Sequence, residues 1–548
     1  MKKRNVMKPI IYIKTISIVF LSLILIFSSC TELENTSYNE IITTQFEPTE
    51  EDIVAIVGSA YGNWRDILLL WNGYWRCQEV GADQIVIPGR PNGWVDGGIF
   101  RRMHEHNFTT DDDNVYQTWD RTFSGISNCN RVIYQIESGF LPLEETKDEV
   151  ISELRVLRAS YYYVLCDLYG NVPIVTDFNV PEGFLPVQNS RKEVYDFIVK
   201  EISESLEHLP FENNMLTYGR FNVWAARTLL AKVYLNAGVY SGTPQWDKCL
   251  EQCDLIINGN NGLMLESDQK NVFITENQFS KEIIFGLSID DQYTKAWNQF
   301  DIHMQTLQPA NQATYNLEMT PWGGMCAIPQ FINTFDPADK RLKNNFITGQ
   351  QYSSKGDSLF CTMGKLTGKP LAFVNEVPSV EQSEEIHGFR FGKFEIELGS
   401  SNILNNDYPL FRYADVLMMK AECLLRSGNA NAAAELVTQV RMRAFDDKTK
   451  ALVTGDELMQ GSSYDYGLRN QNATTNEGGA DIQYGRFLDE LGWEFNQEGR
   501  RRQDMIRFGV YTTKSWFSHA PNGDYWSIYP IPRGRLETNS NLKQNPGY

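Results

Sequence analysis

The sequence predicts a mostly α protein, built of stacked helices in one large unit, with long irregular loops and a few short strands. Three observations predict it. Apolar residues recur at helical spacing over most of the chain. Two stretches, 71–111 and 259–407, lose that spacing and fill with Gly, Asn, Pro and aromatic residues. No Pro-rich run, Gly/Ser tract or long charge block offers a place to divide the 548 residues, and 42% hydrophobic with 22% charged residues suits a single large core.

The first helix is expected over 50–70, after Pro48, with Thr49 as N-cap and acidic residues in the first turn. The next, over 112–137, carries Trp119, Phe123, Ile126 and Ile133 at helical intervals. The clearest runs over 144–169. Leu154, Leu157, Tyr161, Leu165 and Leu168 mark one face, and Gly170, Asn171 and Pro173 stop it. Further helices are expected over 191–208, 222–237, 245–257, 408–427, 431–444 and 485–507. Residues 282–287 read as a strand. In two places small residues and a glycine recur at the spacing of a helix pair: Ala231, Tyr234, Gly238 and Tyr240, then Ala421, Leu424, Gly428 and Ala433. The small residues permit close approach and the glycine ends the first helix. This spacing resembles the tetratricopeptide motif and implies a tetratricopeptide-like helical-repeat scaffold.

The amino terminus carries its own signal. Lys2, Lys3, Arg4, Lys8 and Lys14 precede the apolar run 16–27, which is too short to span a bilayer but suits the core of a signal peptide. Ser28, Ser29 and Cys30 follow and resemble the lipobox of a bacterial lipoprotein, with Phe27 where Leu is usual. The expectation is a signal peptide over 1–29, a lipidated tether over 30–45 with Cys30 as the acylated residue, and one domain over 46–548. Several acyl chains on one cysteine meet the requirement for stable anchoring. Glu32 and Glu34, just beyond Cys30, resemble a surface-export signal. Losing the five leading basic residues takes the formal charge from −19 to −24, a surface that repels phosphate backbones and speaks against nucleic acid.

Other chemistry finds little support. The eight remaining cysteines are scattered and read as buried thiols; Cys249 and Cys253, four apart on a helix, lack the further ligands of a metal site. Thr367-Gly368-Lys369-Pro370 ends like a phosphate loop but has Met363 and Pro370 where Gly and Ser or Thr are required. His104 and His106 need a third ligand, and Asp111-Asp112-Asp113 lacks the Gly and distal Glu of a calcium loop. No Gly-x-Ser-x-Gly elbow occurs. No catalytic residue, metal ligand or cofactor is predicted; a structural calcium ion is left open.

The carboxyl-terminal half carries the family signal. Arg412-Tyr-Ala-Asp415 through Glu422, Val440-Arg441-Met-Arg443-Ala444, and the run Glu494 to Glu498-Gly499-Arg500 with Asp504 and Arg507 combine charged residues with helical apolar ones. Their physical reading is ion pairing that locks helix ends together. The ending, Tyr529-Pro-Ile-Pro-Arg533 and Gln544-Asn-Pro-Gly-Tyr548, reads as an extended cover. Upstream, Leu157-Arg158-Ala159 and Tyr169-Gly-Asn-Val-Pro173 fit the same pattern. Together these resemble the SusD/RagB family of nutrient-capture lipoproteins. The resemblance implies a non-enzymatic surface receptor of the outer membrane. It would hold oligosaccharide and act as the lid of a SusC-like TonB-dependent transporter. Peptide capture is the alternative, with a surface glycosidase or a pure assembly scaffold behind it.

Aromatic residues make up 12% of the chain, and a flat ring can cover the C–H face of a pyranose while amides, carboxylates and guanidinium groups bond its hydroxyls. The loop with Arg90, Asn92, Trp94 and Asp96 is the first candidate platform; Tyr293, Trp297 and Trp322 form the second. Trp71 and Trp75, after an apolar helix, read as packing residues.

Overall fold

A computed structural model describes residues 48–68, 71–294 and 299–548. The expected signal peptide, tether and acylated Cys30 lie outside the described residues, as does Trp297. Residues 52–548 form one compact unit. The helices that build it are α1 (Glu50–Leu68), α2 (Asp113–Glu137), α3 (Lys147–Leu168), α4 (Arg191–Ser205), α5 (Val223–Leu235), α6 (Trp246–Ile257), α7 (Tyr413–Arg426), α8 (Ala430–Arg441), α9 (Gly485–Phe495) and α10 (Arg501–Arg507). From α2 to α6 each helix packs on the next, and the series then continues from α6 directly to α7 and α8. The irregular region between Ile257 and Tyr413 therefore leaves the stack and returns to the same place.

Local chemistry explains the helix ends. A Ser190–Glu193 capping box opens α4, and the Asn222 side chain accepts from Trp224 and Ala225 to open α5. Gly170 and Gly428, both at positive φ, follow the ends of α3 and α7 as expected. Gly238 differs. α5 already stops at Leu235, where Asn236 Nδ2 donates to the Lys232 carbonyl at 2.9 Å, and Gly238 lies inside a short helix, Ala237–Ser241, closed by Gly242 at φ 78°.

Two expected helices are also corrected. Residues 408–412 form a strand, and only Tyr413–Arg426 is helical. With β1 (Ile85–Val86), β2 (Ile283–Leu287) and β3 (Cys326–Ala327), this strand is β4 (Tyr408–Arg412); β2 and β4 pair antiparallel. The expected helix over 485–507 breaks into α9 and α10. Gln497 and Gly499 take positive φ, the Trp75 indole donates to the Gln497 carbonyl at 2.9 Å, and Glu79 accepts from the Gly499 and Arg500 amides. Tertiary hydrogen bonds thus replace the helical ladder at the break.

The tail is partly as expected. Tyr529 stacks on Phe108, and Asn545 Nδ2 donates to the carbonyls of Tyr169 and Tyr529, closing over the end of α3. Between these points Arg533–Thr538 is helical rather than extended.

The family-type charges meet in the core. Arg412 holds Glu282 at 2.8 Å, Glu494 at 2.9 Å and Glu498 at 2.6 Å. Arg443 reaches Glu494 at 2.7 Å, and Arg341 bridges Asp339, Glu490 and Glu494. Arg500 ties Asp415 to Asp504, while Arg507 ties Asp504 to Glu422. Burial alone would push the Glu494 carboxyl up, but Arg443, Arg412 and Arg341 outweigh it and hold it far below the carboxylate range; Glu490 falls in the same way to about 2. Such pairs cost desolvation and return it only when every partner is in place. They join the irregular region (Glu282, Arg341) to β4, to Arg443 just past α8, and to α9. All eight described cysteines are buried and free. Among the described residues no helix is long and apolar enough to cross a membrane.

Candidate functional site

Two loops far apart in sequence are laid side by side by two very short strands. β1 and β3 pair antiparallel, with Ile85 opposite Ala327 and Val86 opposite Cys326. The chain leaving β1 therefore runs beside the chain entering β3. Asn92 Nδ2 donates to the carbonyls of Trp322 and Gly323, at 3.2 Å for the latter. Its Oδ1 accepts from the Trp94 amide at 3.2 Å. Trp94 and Trp322 come together at 6.4 Å between ring centroids, tilted by 57°.

The orientation of Trp94 is fixed on several sides. Its ring lies over Gly324, where an added Cβ would stand 2.3 Å from Cε3. Phe100 meets it edge-on at 5.2 Å. Its indole Nε1 donates to Asp96 Oδ2 at 2.9 Å, and the Trp71 indole donates to the same oxygen at 2.8 Å. Asp96 has φ 40°, so the backbone is held in a sparsely populated region at the point where its carboxylate receives two indoles. Both tryptophans of the pair remain half-buried.

The proposed platform residues divide. Trp94, Trp322, Asn92 and Asp96 are brought together. Arg90 is corrected to a support: it is 5% exposed, and its guanidinium donates to the carbonyls of Gly324, Glu384 and His387. It welds the two loops from behind and offers no donor to solution. Tyr293 is 88% exposed, its amide held by the Asp290 carboxylate, and it makes no ring contact with Trp94. Trp71 is the residue that sequence reasoning placed in packing and the structure places at the site, through Asp96. Trp75 is buried as expected. His104 and His106 are wholly buried, beside His519. Among the described residues no group of His, Cys, Asp and Glu could hold a metal ion.

Other concavities lack this character. A groove of about 510 Å³ is lined by amides and an Asp465–Arg469 pair but by no tryptophan. Next to Asp96 lies a smaller cavity of about 210 Å³, bordered by Trp71, Phe100 and Asp113.

Comparison with known proteins agrees with this architecture. The SusD family model matches residues 281–548, and a second, described as starch-binding associating with outer membrane, matches residues 85–235. The starch-binding protein SusD of Bacteroides thetaiotaomicron is 25% identical over 519 residues, covering 87% of this chain and 86% of that protein. A SusD-like protein of Bacteroides ovatus is 22% identical, covering 84% and 82%. Among solved structures, a laminarin-binding SusD-like protein superposes with a TM-score of 0.69 at 19% identity over 92% of this chain and all of the other. Surface glycan-binding protein A from Bacteroides thetaiotaomicron, in complex with laminarihexaose, gives 0.68 at 18% identity, over 91% and 100%. The two family models cover most of the described chain, the fold is shared along its length, and the chain belongs to the SusD/RagB family.

Proposed function

We propose that this protein is a cell-surface glycan-binding lipoprotein that holds oligosaccharide on the Trp94–Trp322 pair and passes it to a SusC-like TonB-dependent transporter, for which it acts as lid. The pair carries the reading. Two indoles stand at an angle, as a curved glycan chain requires, and Trp94 is braced by Gly324, Phe100 and Asp96. Asp96, with one oxygen taken by the indoles, lies in the same loop as an acceptor for sugar hydroxyls, while Asn92 is committed to holding the two loops together. The relatives named as starch-binding and laminarin-binding support a neutral glucan as the ligand class. Anchoring through Cys30, and an outward-facing position at the outer membrane, fit the amino-terminal sequence and the description of the second family model.

Binding without turnover is the reading that the relatives favour, since they are named as binding proteins, and the acidic residues of the family-type motifs are committed to structure. Glu282, Glu490, Glu494 and Glu498 are sealed in ion pairs away from solvent, and Asp96 is engaged with two indoles. The test is calorimetric titration with laminarihexaose and maltohexaose, alongside long incubation and product analysis. Saturable binding to one series, lost in Trp94→Ala, with no cleavage, supports the reading. Retention of peptides and no glycan, or release of shorter sugars, overturns it.

A further inference from the structure

The cavity beside Asp96 has a use that the Trp94–Trp322 pair does not supply. It is lined by Trp71, Asn72, Asp96, Phe100, Arg102 and Asp113 and has a volume of about 210 Å³. That lies below the roughly 300–1,000 Å³ of pockets for drug-sized ligands and suits a single ring. Trp71 and Phe100 give it aromatic walls, and Asp96 joins it to the main pair because its Oδ2 receives both the Trp71 and Trp94 indoles.

One residue of its wall carries an amide donor that the protein leaves without an acceptor. Asn72 is 1% exposed, and Arg121 donates to its Oδ1 at 2.7 Å, which fixes the orientation of the amide. Its Nδ2 is buried without an acceptor. A buried donor of this kind costs about 1–3 kcal/mol unless a ligand or solvent oxygen meets it. The donor calls for an oxygen, while Asp96 and Asp113 call for hydroxyl donors: a polyol satisfies both.

The charge around the cavity narrows the class further. Asp96, Asp111, Asp112 and Asp113 border it against one cation, Arg102. Arg102 is itself committed to Asp112 and to the Gly97 carbonyl, and Asp111 pairs outward with Arg533 at 2.6 Å. A carboxylate or sulfate on the incoming sugar would meet like charge, and the two cations beside the wall, Arg102 and Arg121, already hold protein partners.

We infer that this side pocket receives one uncharged sugar residue branching from the glycan chain stacked on Trp94. The inference rests on the proposed glycan-binding reading. It makes the pocket a determinant of branching, with Trp71 as its floor, Asn72 as donor and Asp113 at its rim.

The test is calorimetry of the full chain with matched glucans in the β-1,3 and α-1,4 series: linear hexasaccharide, the same backbone with one glucose branch, and the same with one glucuronate branch. In the series that binds, the glucose branch is expected to tighten binding about tenfold, the return of two or three net hydrogen bonds. Glucuronate is expected to give no gain. Asp113→Phe, which fills the rim on the first turn of α2, and Asn72→Leu are expected to erase the branch advantage while leaving linear binding intact. Equal affinity for linear and branched chains, an advantage that survives Asp113→Phe, or an equal gain from glucuronate overturns the side pocket while glycan binding stands. Failure of every glucan to bind overturns the parent reading as well.

Discussion

Arg412 Nη1 and Glu494 Oε1 lie 2.9 Å apart, and both side chains are wholly excluded from solvent. Glu494 also receives Arg443 and Arg341. Replacing one partner leaves several charges buried without compensation. Glu494→Gln is expected to cost about 3–5 kcal/mol of stability, since breaking a buried pair is far costlier than removing a surface one. Urea unfolding followed by tryptophan fluorescence measures it. A loss under about 1 kcal/mol would show that the pairs are energetically idle.

Gly324 gives a probe of the aromatic pair that touches no ligand-bonding atom. A Cβ there would stand 2.3 Å from the Trp94 ring, so Gly324→Ala is expected to tilt the indole away from Trp322. Glycan affinity should fall about tenfold, with thermal stability reduced only modestly. Unchanged affinity in calorimetry would mean that the angle between the rings does not matter.

Trp94 itself should behave as a hot spot. Trp94→Ala is expected to weaken glycan binding by about 30-fold or more, the effect of losing about 2 kcal/mol. Trp71→Phe keeps a ring but removes one of the two indole donors to Asp96, and a smaller, few-fold loss is expected. Affinity electrophoresis in polysaccharide gels ranks the variants. The order wild type, Trp71→Phe, Trp94→Ala from tightest to weakest is the expected outcome, and its inversion would remove Trp94 from the platform.

Acid should act first on the buried histidines. His106 and His519 lie 4.1 Å apart between ring centroids, with His104 beside them. Burial pushes His106 down to about 3 and lowers His104 and His519. Each is neutral in the fold where the unfolded chain, titrating near pH 6.5, takes up a proton. Their effect is nil above that pH. As pH falls below it, each favours unfolding by up to about 1.4 kcal/mol per pH unit. Glu79 and Asp301, pushed by burial up to about 7, act with the opposite sign, because there the folded state binds the extra proton. The decisive quantity is therefore a difference. His519→Phe should show a shallower loss of stability than wild type between pH 6.5 and about 4.5. Parallel curves would refute the assignment.

Much of the scaffold was legible because helical periodicity is a local property. Leu154, Leu157, Tyr161, Leu165 and Leu168 announce α3 without any partner in view, and all five are buried. Tyr408–Arg412 misled because a short apolar run beside a helix has no period of its own; Ile283–Leu287 across the sheet decides it. The break between α9 and α10 was hidden for the same reason, since its causes, Trp75 and Glu79, lie about 420 positions upstream. At the site, composition pointed to Trp94 and Trp322, but β1 and β3 are too short to leave a pattern. Nothing in the sequence joins Asn92 to Trp322, 230 positions away. Arg90 looked like a ligand donor because charge in a loop is normally solvated; its engagement with three carbonyls becomes visible only once those loops meet.

The route of the chain between α6 and α7 has an evolutionary and practical consequence. This segment supplies Trp322, yet it also supplies Glu282 and Arg341, whose charges are matched by Arg412, Arg443, Glu490 and Glu494. Its tip can drift toward new sugars, but its roots are keyed to the rest of the molecule. Grafting a relative's recognition loops onto this body should succeed only when the splice points fall beyond those anchors. A transplant of the whole segment would have to bring both halves of the lock.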